Sequence, residues 1–167
     1  NLPESLVAPI VEREVLPVPF CERIIGQMPM CPVIRHKEAS AYYDPLRDVI
    51  NMPKQKSFVS MEAYYATLFH ELVHSTGHRS RLKRSGIIDM AEFGGDAYSL
   101  EELVAEMGSC YLQSYAGIQS GFQQSAAYIE GWLARLKSDK RFIFSAAGAA
   151  QKATDFILNV PAEMVAD

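Results

Sequence analysis

The segment His70-Glu71-Leu72-Val73-His74 restricts this chain more than any other feature in it. Residues four apart on a helix lie one turn apart on a single face, with Cα atoms about 6 Å from each other. Two imidazoles so placed can reach one tetrahedral zinc ion. Glu71 is turned from His70 by ~100°, so its carboxylate falls beside such an ion. There it can accept a proton from water without taking a ligand position. The flanks read as a core helix: Ser60 as N-cap, Glu62 in the first turn, apolar Tyr64, Leu68, Leu72 and Val73, and Gly77 as the stop. Two ordinary surface histidines are the competing reading, and those apolar flanks weigh against it.

A third ligand must come from elsewhere in the chain. One straight helix cannot bring three residues spread over about 12 Å of rise onto one ion, which places His78 outside the metal shell. The longer spacing HExxHxxGxxH is met only in part, because Gly77 fits it while Ser80 stands where a third histidine belongs. A second helix is predicted from a Ser99 cap to about Ala116, with Glu101 and Glu102 in its first turn. Glu102 and Glu106 share a face there, so Glu102 is the candidate ligand and Glu106 the acid that orients a ligand histidine through its other nitrogen. Glu101 has Ala105 one turn on and reads as compensation of the helix dipole. A donor is also wanted where an oxyanion develops. Tyr98, His78 and Tyr64 are of the right type near the motifs, and Tyr64 reads more readily as core.

The remaining texture fits one domain of 167 residues, long enough to bury a core without staples. Residues 1–15 read as an extended lead-in, and Pro19 opens a short helix to about Met28. Val33–His36, Ser40–Tyr43 and Arg47–Met52 read as a small antiparallel sheet with the middle pair a hairpin. Arg47–Met52 is the candidate edge strand for pairing with an extended substrate. Residues 78–97 form a long irregular connection, and amphipathic stretches follow at about 122–137 and 140–158. Three cysteines at unrelated spacings read as free thiols in a reducing cytosol. A net charge of −4 argues against a surface coated by nucleic acid, and the basic run Arg79–Arg84 reads as a solvated loop rather than a phosphate patch. No apolar run approaches the ~18 to 20 residues of a membrane helix, and no secretory-signal pattern is visible.

Several motifs, in order, resemble the zincin-like domain at the C-terminal end of ArdC-type antirestriction proteins. They are Ala41–Pro45, Ile50–Pro53, Tyr64–His78 with Arg81–Arg84, Phe93-Gly94 through Tyr98, Glu101–Glu106, and Trp132–Lys140. The resemblance covers about residues 16–158 and departs at Ser75, where members often carry tryptophan. It implies a cytoplasmic bacterial protein linked to plasmids, phages or conjugative elements. In fuller members a single-stranded-DNA-binding domain precedes this one, so nucleic acid is expected to be met only through such a preceding domain.

Together these readings predict an α+β zincin: a small antiparallel sheet and a helical body around the active-site helix. One zinc ion held by His70, His74 and Glu102 would polarise a peptide carbonyl, with Glu71 as the base, in a metallopeptidase acting on protein or peptide. The competing reading is a zinc-stabilised module that blocks restriction enzymes without cutting. A nucleic-acid-processing domain has only the Arg79–Arg84 run in its favour.

Overall fold

The structure, a computed structural model, describes residues 17–89, 96–118 and 141–161. Its first helix, α1, runs Pro17–Gln27. Three short strands follow, β1 (Val33–Arg35), β2 (Tyr42–Asp44) and β3 (Val49–Asn51). Then come α2 (Met61–Thr76), the single turn α3 (Ser85–Ile88), α4 (Asp96–Ala116) and α5 (Arg141–Ile157). The lead-in at 1–15 and the stretch at 122–137 lie outside the described residues.

The sheet is mixed rather than antiparallel. Its order is β1-β3-β2, with β3 parallel to β1 and antiparallel to β2. β2 and β3 form the expected kind of hairpin, but β1 and β2 are not neighbours, because β3 inserts between them. Asn51 holds the β1–β2 connection open for that insertion. Its Oδ1 accepts from the backbone N–H of Lys37 (3.1 Å) and Glu38 (3.3 Å), and its Nδ2 donates to the Ser40 carbonyl (2.6 Å). The candidate edge strand Arg47–Met52 is therefore corrected: β3 is central and buried along its length. Among the described residues, β2 is the edge strand packed against α2.

α2 is the axis of the body. Ser60 caps it by accepting from the Ala63 N–H at 3.2 Å, as expected from Ser60 and Glu62. Tyr65, Leu68, Phe69, Leu72 and Val73 are all but fully buried, and burying each stabilises the fold by roughly 1.5–3 kcal/mol. α4 lies against α2 on one side, and α5 covers both with a face of Ala146, Ala150, Ala153 and Ile157. Two glycines permit the closest approaches. A Cβ on Gly108 would lie 2.8 Å from a methyl of Val73, and one on Gly77 would lie 2.6 Å from Ile87. Gly77 caps α2 with an ordinary helical φ of −72°, so its value is space and not a left-handed turn.

The basic run after α2 is not a solvated loop. Arg79 and Lys83 are exposed, but the Arg81 side chain is only 1% exposed and joins three parts of the fold. It donates to the carbonyls of Ser75 (2.7 Å) and Met30 (2.9 Å), to Asp48, and to the Tyr43 hydroxyl (3.2 Å), which in turn donates to Asp48 (2.8 Å). Met30 and Asp48 both sit at positive φ, 49° and 52°, a local cost that this convergence on Arg81 offsets.

Gly108→Ala is expected to lower the denaturant midpoint. Val73 in a helix has one preferred rotamer, so the helices must part, and overpacking at about 1–3 kcal/mol outweighs the ~1 kcal/mol gain in helix propensity. A midpoint at or above wild type would show slack between α2 and α4. Asp48 tests the hub through pH. Desolvation raises its pKa, but hydrogen bonds from Arg81 and Tyr43 outweigh it and hold the carboxyl below its ordinary 3.8. A depressed carboxyl stabilises the fold above its unfolded value and loses that contribution as pH falls through the folded one. Asp48→Asn, which tolerates the left-handed backbone, should cost about 1–2 kcal/mol at neutral pH for a site a third exposed. Unfolding curves taken at falling pH should show the gap to wild type closing below 3.8; a constant gap would count against the ion pair.

Candidate metal centre

α2 offers one face to α4, and on that face stand His70 and His74. The close Val73–Gly108 contact brings Glu101, Glu102 and Glu106 of α4 onto the two imidazoles. The His70 and His74 Nε2 atoms lie 3.1 Å apart. The Glu102 carboxylate faces both, with its Oε2 3.7 Å from His70 Nε2 and its Oε1 3.4 Å from His74 Nε2. A donor atom from each of the three residues lies within 4.8 Å of the others.

The outer nitrogens are engaged as well. His70 Nδ1 lies 3.4 Å from Glu106 Oε2, and His74 Nδ1 lies 3.2 Å from Glu101 Oε1. An ionised carboxylate can only accept, so each Nδ1 carries a proton, and with an ion bound each Nε2 would turn a lone pair inward. Two imidazole nitrogens and a carboxylate then converge on one point, an arrangement that suits a cation at its centre. Ligands ~2.0–2.1 Å from a tetrahedral ion stand roughly 3.3 Å apart, which is the middle of the observed range. The donor set therefore fits a divalent metal ion.

The electrostatics follow from burial and these contacts. Desolvation would lower His70 and His74, but Glu102 and Glu106 on the first, and Glu101 and Glu102 on the second, outweigh it and raise both. The pocket thus draws positive charge, as protons or as a metal ion, which compete for the same lone pairs. Glu102 stays well below its ordinary range, because the imidazoles outweigh its own desolvation. Glu71 behaves differently. It is 7% exposed, and desolvation raises its pKa despite the nearby imidazoles. The Tyr43 backbone N–H also favours its charged form, which puts strand β2 directly beside this carboxylate.

Glu101 and Arg84 are what sequence reasoning missed. α4 begins at Asp96 rather than at Ser99, so Glu101 is not in the first turn and does not serve the helix dipole. It is buried between His74 and Arg84. Arg84 donates to both Glu101 oxygens, Nη2 to Oε1 at 2.6 Å and Nε to Oε2 at 2.9 Å. It also donates to Thr76 Oγ1 (2.6 Å) and the Val73 carbonyl (2.7 Å), so one guanidinium ties the end of α2 to α4. These bonds outweigh desolvation and hold Glu101 ionised. No spacing rule links residues 74, 84 and 101; the adjacent pair Glu101-Glu102 was the only available signal.

Two other sequence candidates, His78 and Tyr64, have partners outside the donor set. His78 pairs with Ser80 Oγ at 2.8 Å, just beyond the end of α2. Tyr64 packs in the core, with its hydroxyl 2.9 Å from His36 Nε2. Tyr98 sits one turn before Glu102 in α4, with its side chain outside the described residues.

Comparison with known proteins places the chain in a family. The model of a zincin-like metallopeptidase family matches residues 22–149. The antirestriction protein ArdC of plasmid R388, solved with Mn(II) bound, superposes with a TM-score of 0.71 at 40% identity over 95% of this chain and 57% of that one. Its metal-free structure gives 0.68 at 41% identity, over 94% and 55%. A DNA primase TraC of Escherichia coli is 45% identical over 127 residues, 75% of this chain but 12% of that protein. Protein y4eC of Sinorhizobium fredii (strain NBRC 101917 / NGR234) is 36% identical over 157 residues, 93% and 48%. The chain thus spans about half or less of these curated relatives. With a family model covering most of its length, the chain belongs to the zincin-like metallopeptidase family.

Proposed function

We infer that this domain is a zinc-dependent peptidase, in which His70, His74 and Glu102 hold the ion and Glu71 is the base. The observation that carries the reading is Glu71 itself. It is a buried carboxylate beside a three-donor set to which it does not belong. A carboxylate serving stability alone gains nothing from that position, whereas a general base must stand there to reach the proton of the attacking water. Two imidazoles and a carboxylate suit zinc, and the R388 ArdC structure with Mn(II) bound supports a divalent ion in a relative of this chain.

When bound, the ion supplies a Lewis acid for a peptide carbonyl and lowers the pKa of water toward about 7. Glu71 accepts the proton of the attacking water on its carboxylate and passes it to the departing amide nitrogen as the C–N bond breaks. Glu106 and Glu101 keep the histidine protons on Nδ1, and Arg84 keeps Glu101 ionised and in place. β2, beside Glu71, supplies backbone partners for an extended peptide. The substrate on this reading is protein or peptide, in a bacterial cytoplasm.

A second reading has one observation in its favour: the R388 neighbour is named for antirestriction. The same ion would then be structural, in a module that binds and blocks its target. Glu71→Gln separates the two. On the peptidase reading it keeps about one metal per chain and lowers turnover of a cleavable protein by about 10²–10⁴-fold. Full antirestriction by Glu71→Gln in cells would favour the blocking module, and loss of metal would show that Glu71 is a ligand.

The outer groups make a separate claim on affinity. Glu102→Ala should abolish tight zinc binding, while Glu101→Ala and Arg84→Met should each weaken it by about 10–100-fold. Arg84→Lys keeps the charge but not the fork, and should fall between Arg84→Met and wild type. Competition with a chromogenic chelator measures all four. Wild-type affinity in Arg84→Met would remove Arg84 from the site.

A further inference from the structure

Resting on the peptidase reading above, we propose that the pocket between the β2–β3 turn and α3 is a substrate subsite. It takes a large apolar side chain on the N-terminal side of the cleaved bond, with an acidic neighbour preferred. The pocket holds about 200 Å³ and is lined by Pro45, Leu46, His78, Arg79, Ile87 and Ile88. Four of these six side chains are aliphatic. Leu46 is 69% and Ile88 45% exposed, so two large side chains stand in water around a concave surface. Apolar surface gathered in a concavity with a few polar groups at its rim marks a binding site.

The walls are rigid. Asp44 Oδ1 accepts from the backbone N–H of Leu46 (3.0 Å) and Arg47 (3.1 Å), which sets the turn. Buried Arg81 holds Asp48 at its far end. On the other side, the N–H groups of Ile87 and Ile88 donate to the Arg84 carbonyl, and Ile87 packs where a Gly77 Cβ would be. A preformed pocket of this kind needs little reordering to receive a side chain.

Position assigns the occupant. Pro45 follows Tyr43 by two residues, roughly 7 Å along an extended strand, and the Tyr43 N–H is beside Glu71. His78 follows His74 by about one helical turn, so both sides of the pocket issue from the metal centre. A peptide laid along β2 with its reacting amide at Glu71 therefore carries a neighbouring side chain to the pocket. Antiparallel addition, the more stable pairing, runs the peptide's N-terminal side past the end of β2 at Pro45-Leu46. Arg79 is exposed at the rim and has no ion-pair partner among the described residues, which favours an acidic residue in the peptide there.

The test uses a random-sequence peptide library with zinc-loaded protein. Cleavage is read with wild type and binding with Glu71→Gln. Wild-type products should be enriched in Leu, Met or Phe N-terminal to the cut, with Asp or Glu beside them. Leu46→Asp and Ile88→Asp alter exposed positions that the fold does not need. Each should raise KM for such peptides, and their Kd in the Glu71→Gln background, by about tenfold or more. Arg79→Glu should reverse the acidic preference. Cleavage without apolar preference, or unchanged by Leu46→Asp, would overturn the subsite and leave the peptidase reading intact. Binding of apolar peptides that depends on Leu46, without any cleavage, would support the pocket and sink the peptidase reading. No peptide binding at all would overturn the subsite.

Discussion

Three lone-pair groups, His70 Nε2, His74 Nε2 and the Glu102 carboxylate, are held within 3.1–3.7 Å of one another in a nearly dry space. Protons on the imidazoles or a cation between them offset the carboxylate charge gathered there, and the surrounding packing keeps the groups together. α2 and α4 meet at Val73 and Gly108 with no room to slide, and α5 closes over both. Burial excludes the water that would screen these charges, which strengthens the pull of the site on a cation.

Charge then passes outward in layers. Each imidazole has a carboxylate behind it, Glu106 for His70 and Glu101 for His74. Glu101 in turn has Arg84 behind it. A buried carboxylate without that guanidinium would rise in pKa and surrender its hold on the histidine. Arg84 also binds the last carbonyls of α2, so the side chain that supports the site also fastens the helix end. Arg81 does the equivalent task on the opposite flank, fastening the hairpin turn and the segment after α1 to the carbonyl of Ser75. The two arginines lie three residues apart in one irregular segment, and together they place the metal helix between the sheet and α4.

Glu71 belongs to neither layer. It is buried, it faces β2, and its pKa moves opposite to that of Glu102 although both lie within reach of the same imidazoles. The difference is environment: Glu102 lies against both rings, while Glu71 is left chiefly with its own desolvation. Two carboxylates separated in this way can take two roles, one holding charge fixed and one exchanging protons.

The legible part of this protein was local. The helix around His70 and His74, its Ser60 cap and its Gly77 end follow from side-chain period and capping chemistry, which need only neighbours in sequence. The pairing of Glu102 with Glu106 was legible for the same reason, since one helical turn fixes their common face. The order of the strands was not. Three short strands can be arranged in several ways, and β3 took the centre because Asn51 bonds the distant 37–40 loop. Nor was the place of Glu101 or Arg84, whose meaning depends on a segment folding back over the end of α2. By itself, the sequence determined which donor groups share a helical face, His70 with His74 and Glu102 with Glu106, because donor chemistry and helical spacing are properties of the local chain. Only the tertiary structure decided which strand lies along the site and which groups hold the ligands, because those depend on close approaches between elements far apart in sequence.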